Sequence, residues 1–289
     1  MESIISVQDL VTHYGERQVL DRVNMDVQRG ETMVILGGSG SGKSTLLRHI
    51  VGLEKPTSGS IHILGQDICR LSETQFNEIR RKMGMSFQGS ALFNSMSVGD
   101  NVALPLREHT ELEESTIQIM TRMKLEQVGL AGFEKYMPAQ LSGGMKKRAG
   151  VARAMAMDPE ILLFDEPSAG LDPVIAAGID DLIVKLKAAF GMTIVVVTHE
   201  LASAFLIADR ITVLDKGRII SSGTREQIQA STHPRVRQFL GRIPDSQRPG
   251  EDEYVRTMVG SGADQRGRQA ETGSNQAGPG TAGHPGSAG

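Results

Sequence analysis

The sequence is poor in cysteine and in aromatic residues. Its 289 residues include one Cys, no Trp, three Tyr and eight Phe. A single thiol, Cys69, excludes an internal disulfide framework and a Cys-rich zinc site, and we expect it to serve as a small buried hydrophobic side chain. Neither sign of charge dominates, since 31 basic and 34 acidic residues give a net charge of −3. No field of the whole chain therefore favours nucleic acid, and we expect no nucleic-acid partner.

Long apolar runs are also missing. The purely apolar stretch from Ile194 to Val197 is far shorter than the roughly 20 residues that cross a bilayer. The amino terminus, MESIISVQDL, has no basic region followed by an apolar one, so we expect no signal peptide. Hydrophobic residues nevertheless make up 39% of the chain, which is enough for a sizeable core. If the protein works at a membrane, another chain must hold it there.

The first third of the chain is rich in short β-type runs separated by turn signals. These runs predict a small antiparallel β subdomain beside the main core. From about residue 72 to residue 157 the pattern turns helical, which predicts a helical insert over about residues 89–158. The β-type runs are Ile4 to Leu10, Val19 to Val27, Thr32 to Leu36 and Ser60 to Leu64.

Beyond the insert, the apolar runs Ile161 to Phe164 and Thr193 to Val197 flank a helical pattern from Pro173 to Phe190. Strand, helix and strand in this order are typical of a buried parallel sheet, so the predicted fold class is α/β. We expect this domain to span residues 1–241. Residues 242–259 keep a few apolar side chains and are a possible docking extension, whereas the polar residues 260–289 are expected to be a disordered tail.

One glycine-rich segment matches the pattern G-x-x-x-x-G-K-[ST] between a β-type run and a helical pattern. Glycines let successive backbone N–H groups face an anion, and the helix amino terminus adds its positive dipole end. A glycine-rich turn that happens to contain Lys-Ser is the alternative, but the flanks on both sides favour a phosphate loop. Its lysine would reach the β- and γ-phosphates of ATP, and the hydroxyl after it would ligate Mg²⁺. The segment consists of Gly37, Gly38, Ser39, Gly40, Ser41, Gly42, Lys43, Ser44 and Thr45.

An acidic pair closes the apolar strand that starts at Ile161. Asp165 would hold the hydration shell of Mg²⁺, and Glu166 could polarise the attacking water as a general base. Two solvated acids at a strand end are the alternative interpretation. That alternative is weak here because the phosphate loop is already present on the same chain.

A second anion site is predicted at Ser142, Gly143 and Gly144, which open a basic helix with Met145 as its next residue. With the stretch D-E-P-S-A-G-L-D over residues 165–172, these motifs resemble the ATP-binding cassette family. The resemblance implies a RecA-like core with an antiparallel β subdomain and a helical subdomain. It also implies ATP with Mg²⁺ as ligands, and a second copy arranged head to tail. In that family, the L-S-G-G element of one copy covers the γ-phosphate held by its partner.

The resemblance assigns further residues one by one. Tyr14 lies where the family has an aromatic that stacks on adenine, and Gln88 where it has a glutamine that touches Mg²⁺ and water. Asp172 corresponds to an aspartate between subunits, and His199 to a histidine at the γ-phosphate. Tyr14 could instead be an ordinary turn aromatic, and His199 a neighbour of a helix cap. Met145 departs from the family, which often has glutamine there, so no polar contact from that side chain carries over.

A narrower resemblance comes from the phrase G-S-A-L-F…N-V-A-L-P-L-R-E-H within Gly89 to His109, together with L-S-G-G-M-K-K-R-A and S-A-G-L-D-P-V. These phrases resemble the ATPase subunit of Mla-type phospholipid transporters, which are linked to Mce proteins. The resemblance implies a peripheral protein on the cytoplasmic face of the bacterial inner membrane. Its partners would be an integral membrane permease, a small cytoplasmic regulatory subunit and a lipid-binding Mce-type protein.

Other functions remain open from the sequence. The run Val98 to Leu106 could be a helix packed on its own core, in which case any cassette ATPase would fit equally well. An importer ATPase for a small solute such as an amino acid is the main alternative to lipid transport. A cassette protein that acts on DNA or ribosomes is disfavoured, because such proteins usually carry a long coiled-coil insert or two cassettes in one chain.

Overall fold

A computed structural model describes residues 3–243. The strands are β1 (Ser3–Tyr14), β2 (Arg17–Gln28), β3 (Thr32–Leu36), β4 (Ser58–Ile63), β5 (Gln66–Asp67), β6 (Met83–Ser86), β7 (Ile161–Asp165), β8 (Thr193–Thr198), β9 (Arg210–Asp215) and β10 (Arg218–Thr224). The helices are α1 (Lys43–Ile50), α2 (Glu73–Arg80), α3 (Val98–His109), α4 (Glu114–Gln127), α5 (Gly143–Ala154), α6 (Pro173–Phe190), α7 (Leu201–Ile207), α8 (Arg225–Gln229) and α9 (Pro234–Leu240).

The central sheet has six strands in the order β10-β9-β3-β8-β7-β6. All neighbouring strands run parallel except β9 and β10, which form an antiparallel edge. Every residue of β3 and β8 is buried. Strands covered on both faces carry continuous apolar runs, which is why these segments are recognisable in the sequence.

Alternate residues of the central strands enter two separate cores. In β3, Val34 and Leu36 pack in the core that includes α5, α6 and α7. Met33 and Ile35 point to the opposite face and pack with α1 and the antiparallel strands. Since successive side chains of a strand alternate between faces, the sheet is the shared wall of both cores.

The second sheet is antiparallel, with four strands in the order β2-β1-β4-β5. Ile5 of β1 pairs with Val27 of β2 and with Ile63 of β4, and all three residues are buried. The antiparallel subdomain predicted from the sequence is thereby confirmed. Of the four β-type runs in the first third of the chain, Thr32 to Leu36 lies outside this sheet and becomes the central strand β3.

The segment from residue 72 to residue 157 is not helical throughout, so that part of the sequence interpretation is wrong. It contains strand β6, which pairs in parallel with β7 along Met83–Ser86. This short Met- and Gly-containing run has little β-propensity, and its place beside β7 decides its conformation. Gly84 is needed there because a Cβ atom would lie 2.1 Å from the Ala154 carbonyl oxygen. Strands β9 and β10 are further elements for which the sequence analysis made no prediction.

The described residues belong to one compact unit up to Arg242. None of the helices within residues 3–243 is long and apolar enough to cross a membrane. The predicted docking extension over residues 242–259 lies outside the described residues from position 244 onward. The predicted disordered tail over residues 260–289 lies outside them entirely, and both stay predictions.

Candidate functional site

The glycine-rich loop joins the end of β3 to the start of α1. Gly42 precedes the helix with a φ of 106° and makes no side-chain capping bond. A Cβ on Gly42 would lie 2.7 Å from Leu20 Cδ2, and one on Gly37 would lie 2.3 Å from the Leu214 carbonyl oxygen. The glycines are therefore required by close packing as well as by the positive φ. Among the residues that the structure describes, the buried Ser41 hydroxyl finds no hydrogen-bond partner. An uncapped helix amino terminus beside a free hydroxyl fits an anionic group such as phosphate.

Lys43 is buried at the first position of α1, with 6% of its surface exposed. Its ammonium donates to the carbonyl oxygens of Gly37 at 2.9 Å and Gly38 at 3.0 Å. It also lies 3.8 Å from Glu166 Oε1. Burial lowers the pKa of Lys43, while the charges of Glu166 and Asp165 oppose that shift. The Lys43 side chain therefore lies over the loop that would hold a phosphate, with its ammonium bound to the loop carbonyls.

Ser44 and Asp165 meet across the site. Ser44 Oγ donates to Asp165 Oδ1 at 3.2 Å. Burial raises the pKa of Asp165, and the hydrogen bond from Ser44 lowers it. Within residues 3–243, no cluster of three or more His, Cys, Asp or Glu side chains could enclose a metal. A hydroxyl and one carboxylate fit a hard cation such as Mg²⁺, which usually keeps several waters and takes its remaining ligands from substrate phosphates.

Glu166 and His199 form the other half of the site. His199 Nδ1 lies 2.9 Å from Glu166 Oε2. Glu166 is 8% exposed and has a φ of 48°, which is unusual for a residue with a side chain. Its backbone N–H donates to the Val197 carbonyl at 2.9 Å, so strand β8 fixes this turn. A strained backbone conformation that is held in place by its neighbours is typical of residues at functional sites.

Lys147 is a site residue that the sequence analysis missed. Its ammonium donates to the carbonyl of Gln88 at 2.6 Å and to that of Glu166 at 3.2 Å. Burial lowers its pKa, and the nearby charge of Glu166 opposes that shift. Lys147 therefore ties the loop after β6, which carries the exposed Gln88 side chain, to the loop after β7. Its position three residues after the buried Gly144 and four before the buried Val151 places it on the buried face of α5, a signal that the sequence contained.

Tyr14 ends β1 beside the first turn of α1. Its hydroxyl donates to the Glu54 carboxylate, and this bond is the main cause of the raised pKa of Tyr14. A side-chain hydrogen bond with Thr45 partly opposes the rise. The backbone carbonyl of Glu54 is 2.9 Å from Nδ1 of the buried His49. Glu54 and His49, to which the sequence analysis gave no role, thus link Tyr14 to the phosphate-loop helix.

The Ser142 element lies at the start of α5. Ser142 is exposed and caps the helix, its Oγ accepting from the Met145 N–H at 3.3 Å. Gly144 packs on α6, where a Cβ would lie 2.4 Å from Ile175 Cγ2, and Gly143 is exposed beside Leu171. Within residues 3–243, no hydrogen bond or ion pair joins Ser142, Gly143 or Gly144 to the phosphate loop.

Asp172 is also exposed, and it caps α6 by accepting from the N–H groups of Val174 and Ile175, both at 3.1 Å. The chain therefore brings together Lys43, Ser44, Asp165, Glu166 and His199. In the described part of the chain, residues 3–243, Ser142 and Asp172 do not join this group.

Comparison with known proteins places the chain in a family. Residues 20–169 match the family model described as ABC transporter. The chain is 45% identical to the intermembrane phospholipid transport system ATP-binding protein MlaF of Haemophilus influenzae, over 83% of this chain and 90% of that protein. It is 44% identical to the probable ribonucleotide transport ATP-binding protein mkl of Mycobacterium leprae, over 82% of this chain and 68% of that protein.

A solved structure agrees with these matches. The chain superposes with a TM-score of 0.70 on a dimeric ATP-binding cassette in a post-hydrolysis state bound to ADP and phosphate, at 33% identity, covering 76% of this chain and 98% of that one. The predicted α/β fold, with its RecA-like core, is confirmed. The chain belongs to the ABC transporter family and is one of its ATP-hydrolysing, nucleotide-binding cassettes.

Proposed function

We propose that this chain is the ATPase subunit of a transporter that moves phospholipid between bacterial membranes. The observation that carries the proposal is its 45% identity with the Haemophilus influenzae phospholipid transport protein, over 90% of that protein's length. An importer for a small solute such as an amino acid is the second candidate. It is favoured by the 44% identity with the mycobacterial protein whose name refers to ribonucleotide transport.

ATP would be held by the loop from Gly37 to Thr45 and by Tyr14. The open amino terminus of α1 and the Lys43 ammonium fit the phosphates, because both present positive charge at the same loop. The half-exposed ring of Tyr14 beside Thr45 fits stacking on adenine. Lys43 would leave the loop carbonyls for the phosphate oxygens when ATP is bound.

Mg²⁺ would be held by Ser44 and Asp165, with the Gln88 side chain as a further oxygen ligand. The bound cation would neutralise charge on the phosphates. Lys147 holds Gln88 near the site, because its ammonium donates to the backbone carbonyls of both Gln88 and Glu166. A cation site of this kind is completed by the substrate, which couples metal binding to nucleotide binding.

Glu166 would act as the general base for the attacking water, with His199 at the γ-phosphate. The carboxylate is positioned by the turn that bonds to Val197, and His199 Nδ1 lies at hydrogen-bond distance from it. The Lys43 ammonium stands 3.8 Å from the same carboxylate and would stabilise the charge that develops on the transferred phosphoryl group.

Two copies would close head to tail around two ATP molecules. Ser142, Gly143 and Gly144 of one copy would cover the phosphate held by the other, with Asp172 between the copies. Two observations favour this arrangement. Ser142 is exposed, and within residues 3–243 it makes no hydrogen bond to the phosphate loop of its own chain. Hydrolysis would then open the pair, because it removes the group that bridges the two copies.

A groove of about 510 Å³ beside α3 suits the membrane permease. Its apolar wall includes Phe93, which is 52% exposed, together with Leu104 and Pro105. Asn101 is fully buried and fixes the Phe93 backbone from both sides, accepting from its N–H at 2.7 Å and donating to its carbonyl at 3.0 Å. The exposed ring is therefore part of a preformed surface. The groove also carries charged residues of both signs, and most of its arginines are already paired within the chain. They are Arg80, which pairs with Glu73, Arg81, which pairs with Glu78, Arg153, which donates to the Ala91 and Ser90 carbonyls, and Glu108.

Helix α3 also packs on its own core, as the alternative interpretation of Val98 to Leu106 expected. Val98, Val102 and Leu106 are buried, whereas Leu104 and Pro105 line the groove. One face of α3 thus packs on the core, and another face lines the groove. The remaining proposed partners are a small cytoplasmic regulatory subunit and a lipid-binding Mce-type protein. The proposed location is the cytoplasmic face of the bacterial inner membrane, where the chain would be peripheral.

Affinity purification of the tagged chain from native membranes tests the proposal. We expect a lipid-transport permease to co-purify. We also expect Phe93→Asp to lose that permease while its ATP binding is unchanged, since the groove is separate from the phosphate loop. Phe190→Asp is the matched control, because Phe190 is 46% exposed at the end of α6, outside the groove. Recovery of a solute permease with a periplasmic amino-acid system would overturn lipid transport and support the second candidate.

A further inference from the structure

Asp180 is a buried carboxyl group that has no part in the proposed hydrolysis. It lies in the middle of α6 with 4% of its surface exposed. Within residues 3–243, no lysine or arginine pairs with it, and its Oδ1 atom has no hydrogen-bond partner. Its Oδ2 atom lies 2.7 Å from Ser203 Oγ of α7. A buried carboxylate without a cation is costly, so its protonation state requires an explanation.

Asp180 stands at the end of a polar chain that leads to the candidate site. Ser203 Oγ is also 3.5 Å from Glu200 Oε2, and Ser168 Oγ donates to the same Glu200 oxygen at 3.2 Å. Glu200 directly follows His199 in the sequence. Ser168 lies in the segment between Glu166 and Asp172. The chain therefore joins α6 and α7 to both loops that carry the proposed base and its histidine neighbour.

The number of hydrogens available for the hydrogen bonds between Asp180, Ser203 and Glu200 favours a neutral Asp180. A serine hydroxyl has one hydrogen to donate, and two carboxyl groups face Ser203. If Asp180 is ionised, Ser203 donates to it and Glu200 Oε2 keeps only Ser168. If Asp180 is protonated at Oδ2, it donates to Ser203 and frees the serine hydrogen for Glu200. The second arrangement satisfies every link of the chain. A proton on Glu200 would do the same, but Asp180 is buried whereas Glu200 is only half-buried, so burial favours Asp180 as the acid.

We propose that Asp180 is a positioning residue which, as the neutral acid, orients Glu200 through Ser203 and so holds His199 against Glu166. The inference rests on the proposed ATP hydrolysis for its effect on turnover. Its structural part, a proton on Asp180 at neutral pH, does not depend on that function.

The charges around Asp180 agree with a retained proton. Burial raises its pKa, the hydrogen bond with Ser203 lowers it, and the negative charge of Glu200 raises it. On α5, the Arg148 guanidinium donates to the carbonyls of Val128 and Gly178. On α6 itself, Asp181 pairs with Lys185 at the surface, and α7 carries no charged residue. Rising pH would ionise Asp180, redirect the Ser203 hydrogen and lower turnover.

Steady-state ATPase kinetics of the purified full-length chain test the positioning role. We expect Asp180→Ala and Ser203→Ala each to lower kcat by roughly 10-fold with KM for ATP nearly unchanged, as for other supporting hydrogen bonds around a site. The double variant should lose no more than either single one, because both act through one chain. Asp180→Asn should recover most of the lost kcat and flatten the alkaline fall of the pH profile, since its amide donates to Ser203 at every pH. Asp181→Asn is the matched control.

An infrared measurement tests the proton directly. We expect the difference spectrum between wild type and Asp180→Asn at neutral pH to contain the carbonyl stretch of one protonated carboxyl group. Absence of that band, or wild-type kcat in Asp180→Ala, would overturn the positioning proposal. If Asp180→Ala does not fold, Ser203→Ala and Asp180→Asn supply the same kinetic comparison. A wild-type chain that binds ATP without hydrolysing it would instead overturn the proposed catalytic roles of Glu166 and His199, and the infrared band would still decide the state of Asp180.

Discussion

His199 Nδ1 and Glu166 Oε2 are 2.9 Å apart, although 33 residues separate them in the chain. Glu166 is almost fully buried, whereas 55% of the His199 side chain is exposed. The histidine therefore covers the carboxylate from the solvent side. A base held in this way keeps a fixed orientation, which proton abstraction from an attacking water requires.

Replacing Glu166 by Gln is expected to abolish hydrolysis while ATP is still bound, because the amide keeps the shape of the side chain but cannot accept a proton. The ATP-bound dimer should then persist. ATP binding, ATP turnover and size-exclusion chromatography with ATP check these expectations. Near-normal turnover would contradict the assignment of Glu166 as the base, and the exposed Glu113→Gln serves as the control.

Replacing His199 by Ala is expected to lower kcat by about 10²-fold, with a smaller effect on ATP affinity. The variant loses the contact to Glu166 but leaves the loop from Gly37 to Thr45 intact. Separate measurement of kcat and of the Kd for ATP distinguishes the two effects. His233→Ala is the control, since His233 is exposed at the start of α9. An equal loss of turnover in both variants would refute a specific role for His199.

Glycine at position 144 could be required for packing against Ile175 or for the approach of the partner's nucleotide. The single variant Gly144→Ala and the double variant with Ile175→Ala distinguish these two reasons. A Cβ at position 144 would lie 2.4 Å from Ile175 Cγ2, so the single variant should shift the start of α5 and reduce ATPase activity. If packing within the chain is the cause, Ile175→Ala restores activity by removing the clash. Activity that stays low in the double variant would show that Gly144 is needed for the approach of the partner's nucleotide.

Asp165→Asn is expected to stabilise the nucleotide-free protein at high pH while abolishing Mg²⁺-dependent hydrolysis. Burial raises the pKa of Asp165, so the folded state binds its proton more tightly than the unfolded state does. The stability of the wild type therefore falls as pH rises through the folded pKa, and the uncharged variant avoids that loss.

Thermal unfolding across pH measures this effect. The Tm of Asp165→Asn should exceed that of the wild type at pH 8, because only the wild type carries a half-buried charge there. The gap should close towards low pH, and ATP with Mg²⁺ should raise the Tm of the wild type more than that of the variant. A gap that widens as pH falls would refute the sign of the shift. Asp181→Asn, at the surface of α6, is the control.

Much of the candidate site could be predicted because its signals are local. The residues from Gly37 to Thr45 are contiguous, Asp165 and Glu166 adjoin at a strand end, and Ser142 caps the helix that its sequence pattern predicts. Lys147 and Asp180 were missed because burial decides their importance. A lysine or an aspartate in a helix is solvated in most sequences. The helical spacing of Lys147 from Val151 was a weak signal, and the packing of α5 and α6 is what buries both residues.

The sequence alone determined the phosphate loop, the acidic pair and the buried strands, since each depends on neighbouring residues and on backbone periodicity. Tertiary structure decided which of these features meet. Ser44 reaches Asp165 across 121 residues because β3 and β7 both flank β8 in parallel, with Leu36 opposite Thr198 and Asp165 opposite Val197. The carboxyl ends of parallel strands share one edge of a sheet, and strand order is set by long-range packing that no local pattern contains.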